Sequence, residues 1–205
     1  MIAIIDYGAG NLQSVSKALD FIGVQARISS DAGFIKSADG VILPGVGSFA
    51  DAMESMKNSG LVGTVTDAAT GGKPFLGICL GLQLLYKESE ESPGAVGLGV
   101  LDGKISKIPS DGLKVPHMGW NSLDIKKNDD IFKGIEQNAY TYFVHSYYLS
   151  ASDKGDVLAQ TAYGVRIDAA VSKGKLFAFQ FHPEKSGKVG LRMLRNFADM
   201  CGEGK

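Results

Sequence analysis

The sequence predicts an α/β fold: a mostly parallel central sheet flanked by helices, with a strand-rich mixed or antiparallel portion added in the second half. Three observations carry this. Short apolar runs alternate with segments of helical period through the first 80 or so residues. Turn signals then punctuate a strand-rich stretch from Leu98 to Phe181. Many of the 27 glycines cluster where a strand would turn into a helix, as at Gly45 and Gly47 and at Gly77 and Gly81.

Ile2 to Ile5 is apolar throughout, as a strand buried on both faces should be. Asn11 can cap the helix in which Leu12, Val15, Leu19 and Ile22 recur, and Gly23 ends it. Val24 to Ile28 is a second strand and Val41 to Leu43 a third. Helices are expected from about Ser48 and over Leu61 to Ala69, then a strand over Phe75 to Ile78. A helix follows through Leu82 to Glu88. Asp102-Gly103, Asp111-Gly112, Tyr163-Gly164 and Lys173-Gly174 read as hairpin turns. A last helix covers roughly Gly187 to Met200. At 205 residues the chain suits one core better than two, so a single domain over residues 1–205 is expected.

Composition excludes several classes. A net charge of −1 leaves no basic excess for nucleic acid, and no apolar run is long enough to span a membrane. No segment looks like a signal peptide, and the two cysteines do not form a disulfide framework, which fits a reducing cytoplasmic setting. Cys201, after the last helix, reads as structural. No His/Cys/Asp/Glu cluster has metal-ligand spacing, so neither metal nor cofactor is expected.

Chemistry concentrates in two places. Gly77-Ile78-Cys79-Leu80-Gly81 is the thiol counterpart of the G-x-S-x-G nucleophile elbow, where a strand turns sharply into a helix and the residues two before and two after must be small. Cys79 would sit at the helix N-terminus, where the macrodipole favours negative charge. The strand Leu176 to Phe181 ends in His182-Pro183-Glu184: a base held by a proline, with a carboxylate two positions on to orient it. Nucleophile, base and orienting acid are the parts that thiol catalysis needs. Pro44-Gly45-Val46-Gly47 lies at the same sheet edge, and its backbone N–H with that of Leu80 can form an oxyanion hole. Taken singly, each has a plainer reading: a buried thiol, a solvated histidine, a surface carboxylate, an ordinary βα turn. Gly8-Ala9-Gly10, with Asp31 downstream, also resembles the start of a dinucleotide fingerprint, but Gln13 stands where the third glycine belongs. The aromatic strand around Tyr142 to Tyr148 and the run His117 to Asn121 are open to a core or an interface role.

Together with Asp6-Tyr7-Gly8-Ala9-Gly10-Asn11, Pro116-His117-Met118-Gly119-Trp120-Asn121 and Gln180 to Ser186, these motifs resemble the class I glutamine amidotransferases. Within that class they are similar to the glutaminase subunits of bacterial two-subunit imidazole glycerol phosphate synthases. The resemblance implies the amidotransferase fold and a glutaminase with Cys79, His182 and Glu184 as catalytic triad. It implies Val46, Gly47 and Leu80 at the oxyanion hole, and Gly47, Gln83, Glu91, Ser146 and Tyr147 around glutamine. It further implies a heterodimer with a (β/α)8-barrel cyclase subunit that receives the ammonia, with His117, Met118, Trp120, Tyr142 and Lys185 near the interface. Rival readings are a glutaminase serving an anthranilate or pyridoxal phosphate synthase, a non-catalytic regulatory subunit, and a hydrolase of γ-glutamyl peptides.

Overall fold

A computed structural model describes residues 1–202; the last three residues of the expected domain lie outside the described residues. β1 (Ile2–Ile5) pairs in parallel with β2 (Ala26–Ser29) on one side and β3 (Gly40–Gly45) on the other. α1 (Leu12–Phe21) connects β1 to β2 and α2 (Ala32–Ser37) connects β2 to β3. α3 (Phe49–Asn58) and α4 (Val62–Thr70) lead to β4 (Phe75–Cys79), and α5 (Leu80–Leu84) follows without a loop. β5 (Gly103–Lys107), β6 (His117–Ser122), β7 (Asp124–Ile125), β8 (Tyr140–His145) and β9 (Tyr147–Ala151) come next. β10 (Val157–Tyr163), β11 (Val165–Lys173), β12 (Leu176–Phe179) and α6 (Gly187–Met200) complete the chain. Among the described residues the main sheet has eight strands in the order β2-β1-β3-β4-β12-β11-β10-β7. It is parallel from β2 to β12 and antiparallel beyond, as expected. Two ribbons, β5–β9 and β6–β8, stand apart from it.

Strand alternation divides the core between the sheet's two faces. Ala3, Ile5, Val41 and Leu43 pack with Met53, Met56 and Val65 of α3 and α4. Ile2, Ile4, Ile42, Leu76 and Ile78 pack with Val15 and Leu19 of α1 and Met193, Leu194 and Phe197 of α6.

Several expectations need correction. α2 carries no helical period in the sequence; it forms because Asp31 caps it, its carboxylate accepting from the Phe34 N–H at 2.6 Å. Asp31 is thereby a cap rather than a ribose ligand. Asn11 sits at the start of α1 but its side chain makes no capping bond. The helix after the elbow stops at Leu84, because the carbonyls of Leu84 and Leu85 accept from Leu98, Val100 and Leu101 of the returning chain instead of continuing the helix. Tyr163-Gly164 and Lys173-Gly174 do turn hairpins. Asp102-Gly103 does not, since β5 takes β9 as its partner, and Asp111-Gly112 lies in the connection between β5 and β6.

The β3–β4–α5 junction requires its glycines. A Cβ on Gly81 would lie 2.0 Å from the Leu43 carbonyl oxygen; one on Gly45 would lie 2.8 Å from the Gly81 nitrogen, and one on Gly77 3.0 Å from the Gly81 oxygen. Gly81→Ala is expected to lower stability by at least about 3 kcal/mol or to prevent folding, because backbone must move. Gly63 of α4 is exposed, and a Cβ added there would meet nothing within 4 Å. Gly63→Ala should therefore raise stability by about 0.5 kcal/mol. Urea denaturation of the two variants checks both.

Candidate active site

β4 ends at Cys79, whose φ of 55° and ψ of −108° put it outside the regions ordinary residues occupy. This strained corner turns the side chain out of the sheet into a cavity of about 360 Å³. Val46, Gly47, Leu80, Gln83, Glu91, Ser146, Tyr147, His182 and Lys185 line the same cavity, with Pro116, Val144 and His145. Every residue expected at the oxyanion hole or around glutamine therefore borders one space with the thiol. A somewhat larger cleft beside residues 88–96 and Gly103–Ile105 holds neither cysteine nor histidine. No group of three or more His, Cys, Asp or Glu among the described residues could hold a metal ion.

His182 follows β12 and begins the single turn Pro183–Lys185. Its Nδ1 lies 2.7 Å from Glu184 Oε1, and the two side chains are 2 % and 1 % exposed. Burial alone would lower the imidazole pKa. The Cys79 sulfur and the Glu184 carboxylate together outweigh it and raise the pKa to about 10. Nε2, the ring's other nitrogen, is buried and has no hydrogen-bond partner among the described residues. At neutral pH the ring already holds the proton that a leaving amine needs.

The loop bearing His182 is fixed by a residue to which the sequence motifs assign no role. Ser186 Oγ donates to the His182 carbonyl at 2.6 Å and accepts from the Tyr142 N–H at 2.9 Å, while the His182 N–H donates to the Tyr142 carbonyl at 2.9 Å. The one signal for it in the chain is a turn residue, three positions beyond a histidine-proline pair, with a hydroxyl to offer.

Other residues have more specific surroundings than expected. Glu91 Oε2 accepts from the Phe49 N–H at 2.8 Å, at the N-terminus of α3, and Ser92 Oγ accepts from the Ala50 N–H. Glu91 thus enters the pocket with one oxygen already committed. Gln83 donates from Nε2 to the Tyr147 carbonyl at 3.0 Å and to Gln180 Oε1 at 3.1 Å, so both of its amide hydrogens are used. Gly47 can offer the pocket only its backbone, and its φ of +100° is a conformation that suits no other residue well. Val46 is exposed, and β3 delivers this loop beside the elbow through the Gly45–Cys79 register. The Tyr7 hydroxyl donates to the Pro44 carbonyl at 3.1 Å and so holds the loop from the other side.

The β6–β8 ribbon shows strict alternation. Met118 and Trp120 are 57 % and 55 % exposed, and Tyr142 meets Trp120 edge-on on the same face. Lys185 is exposed on the turn that follows His182. His117 departs from its expected interface place. It is 3 % exposed on the inner face, stacked between the Phe143 and Tyr163 rings at 4.8 and 4.1 Å.

Ser186→Ala leaves the half-buried Tyr142 N–H unpaired and should cost about 1–2 kcal/mol in urea denaturation. The charged state of His182 should stabilise the fold fully below about pH 6.5, progressively less as pH rises, and not at all above about pH 10. Denaturation at pH 6, 8 and 10 should show this decline in the native chain and a flatter one in His182→Gln.

A model of the family "Glutamine amidotransferase class-I" matches residues 3–201. The imidazole glycerol phosphate synthase subunit HisH of Caldanaerobacter subterraneus subsp. tengcongensis is 49 % identical over 98 % of both chains. That of Listeria monocytogenes is 47 % identical over 98 % of this chain and 96 % of its own. The fold is similar to a solved glutamine amidotransferase with a TM-score of 0.77 at 22 % identity, over 98 % of this chain and 100 % of the other. By sequence and by fold, this chain belongs to the class I glutamine amidotransferases.

Proposed function

We propose that this chain is the glutaminase subunit of an imidazole glycerol phosphate synthase. The observation that carries the reading is the strained elbow at Cys79, facing the buried His182–Glu184 pair across one pocket. The relatives bearing that name support the choice of synthase over other amidotransferases.

In the reaction the Cys79 sulfur, its proton resting on His182, attacks the carboxamide carbon of glutamine, forming a C–S bond and a tetrahedral oxyanion. Backbone N–H groups of the Val46-Gly47 loop and of Leu80 stabilise that oxygen. His182 then passes its proton to the departing nitrogen, the C–N bond breaks, and ammonia leaves a glutamyl thioester. Water adds to the thioester with His182 taking its proton, the C–S bond breaks, and glutamate departs as the sulfur regains its electron pair. Glu184 fixes the imidazole's tautomer and orientation throughout. Glu91 offers its remaining charge to the substrate ammonium, and Gln83, Ser146 and Tyr147 border the substrate.

Ammonia is useful only if it reaches a second site before it is protonated. We infer a heterodimer with a (β/α)8-barrel cyclase subunit, docked over the exposed Met118, Trp120 and Tyr142 face with Lys185 at its rim. The adjoining, solvent-open loop at Val46 is where docking would act on the oxyanion hole. A single domain working in the cytoplasm fits this role, and no helix among the described residues is long and apolar enough to cross a membrane.

Glutamate release tests the reading, measured for this chain alone and with the barrel subunit carrying its nucleotide. Stimulation of at least about tenfold is expected, and loss of more than about 10³-fold in Cys79→Ala. Equal rates with and without the loaded partner would overturn the assignment.

A further inference from the structure

A continuous chain of hydrogen bonds joins the inner face of the β6–β8 ribbon to the Cys79 sulfur. It runs from Asn121 to His117 (3.3 Å), His145 (3.0 Å), the Tyr147 carbonyl (2.9 Å), Gln83 (3.0 Å), Gln180 (3.1 Å) and Cys79 (3.8 Å). Its members are buried or half-buried, and Gln180 is completely so.

The direction of every bond follows from elementary donor and acceptor chemistry. The Tyr147 carbonyl can only accept, so His145 donates from Nδ1 and Gln83 donates from Nε2. A neutral His145 must then accept at Nε2, so His117 donates from Nδ1 and accepts at its own Nε2. The far end gives the same answer independently. Asn121 Oδ1 accepts from the Ser122 N–H at 2.8 Å, which turns its Nδ2 toward His117 as a donor. At the near end Gln83 donates to Gln180 Oε1, so Gln180 presents its N–H to the sulfur. Both ends agree on one arrangement: two neutral imidazoles, each protonated at Nδ1. Burial supports that neutrality, holding His117 at about 4 and His145 at about 3. Burial disfavours a further proton on His145 most, the Tyr147 carbonyl favours one, and His117 and His182 both disfavour it.

We propose that Gln180 is a further catalytic residue, its amide N–H stabilising negative charge on the Cys79 sulfur, and that His145 and His117 are positioning residues that hold this donor in place. A hydrogen bond to an anionic sulfur is stronger than one to a neutral thiol. The donor therefore acts twice in a thioester route: on the attacking thiolate, and on the sulfur that regains its electron pair when the thioester C–S bond breaks. The second role rests on the glutaminase reading; the first does not.

The test uses the full chain without substrate. Iodoacetamide alkylation of Cys79, followed at its own peptide, should slow about tenfold in Gln180→Met and about threefold in His145→Phe. His145→Asn keeps a donor at the Nδ1 position and should recover at least half of the His145→Phe loss, a rescue that packing alone would not give. The chain has three histidines, so nitrogen-15 NMR of the native protein assigns each ring without any substitution. Two neutral Nδ1–H tautomers at pH 6 and one imidazolium are expected. Alkylation within twofold of native in a folded Gln180→Met, or Nε2–H tautomers at His117 and His145, would overturn the proposal even if the His145 variants fail to fold. Intact alkylation and tautomer results without glutamate release would leave the donor in place and remove the glutaminase reading instead.

Discussion

The fold and its chemistry both depend on how closely α5 can approach β3. An ordinary strand-to-helix connection uses a loop; here Leu80 begins the helix directly after Cys79. That is possible because Gly45, Gly77 and Gly81 leave the backbones of β3, β4 and α5 in contact where any Cβ would collide with main-chain atoms. The contact forces the abnormal backbone of Cys79 and sets Gly45 beside it in register. Cys79, the proposed nucleophile, and the loop that could serve its oxyanion are therefore placed by one packing event. The cost of strain at Cys79, of order 1–3 kcal/mol, is carried by the surrounding sheet, whose neighbouring strands are buried on both faces.

His182, the proposed base, is placed by a different kind of force. β12 runs parallel to β4 and ends level with it, so His182 emerges near Cys79 for reasons of sheet order. Its final position is decided by polar groups: Ser186 and the Tyr142 backbone fix the loop, and Glu184 fixes the ring. Such bonds are worth only about 1 kcal/mol each net, but leaving any of these buried groups unpaired costs more. The result is a buried imidazole set against a strained cysteine, with an exposed loop in the pocket's wall.

Much of this is legible in the chain because the decisive signals are local. Both-face-buried strands read as continuous apolar runs, and the elbow and the His182-Pro183-Glu184 run each occupy a few consecutive residues. What is hidden depends on pairing across distance or on single side chains. α2 is too short to show a period and exists through one aspartate cap. The helix after Cys79 is cut short by residues that return some fourteen positions later, as Leu98 does at Leu84. The strand β5 reaches past its expected hairpin to β9. The sequence leaves His117 open between core and interface; strand alternation turns it inward while Met118 and Trp120 point out. The bonds joining His117, His145 and Gln180 arise from the register of β6 on β8 and from β12 lying beside β4, neither of which a linear reading contains.

The β6–β8 ribbon bears an apolar outer face and a polar inner face on one pair of strands, with a period of two. A shift of one residue in that pairing would exchange the faces, placing histidines outside and Trp120 inside. A single-residue insertion or deletion within either strand is thus expected to disrupt both faces, although substitutions on each face remain independent. The outer surface can change in composition while the inner face stays as it is, provided the strands keep their length.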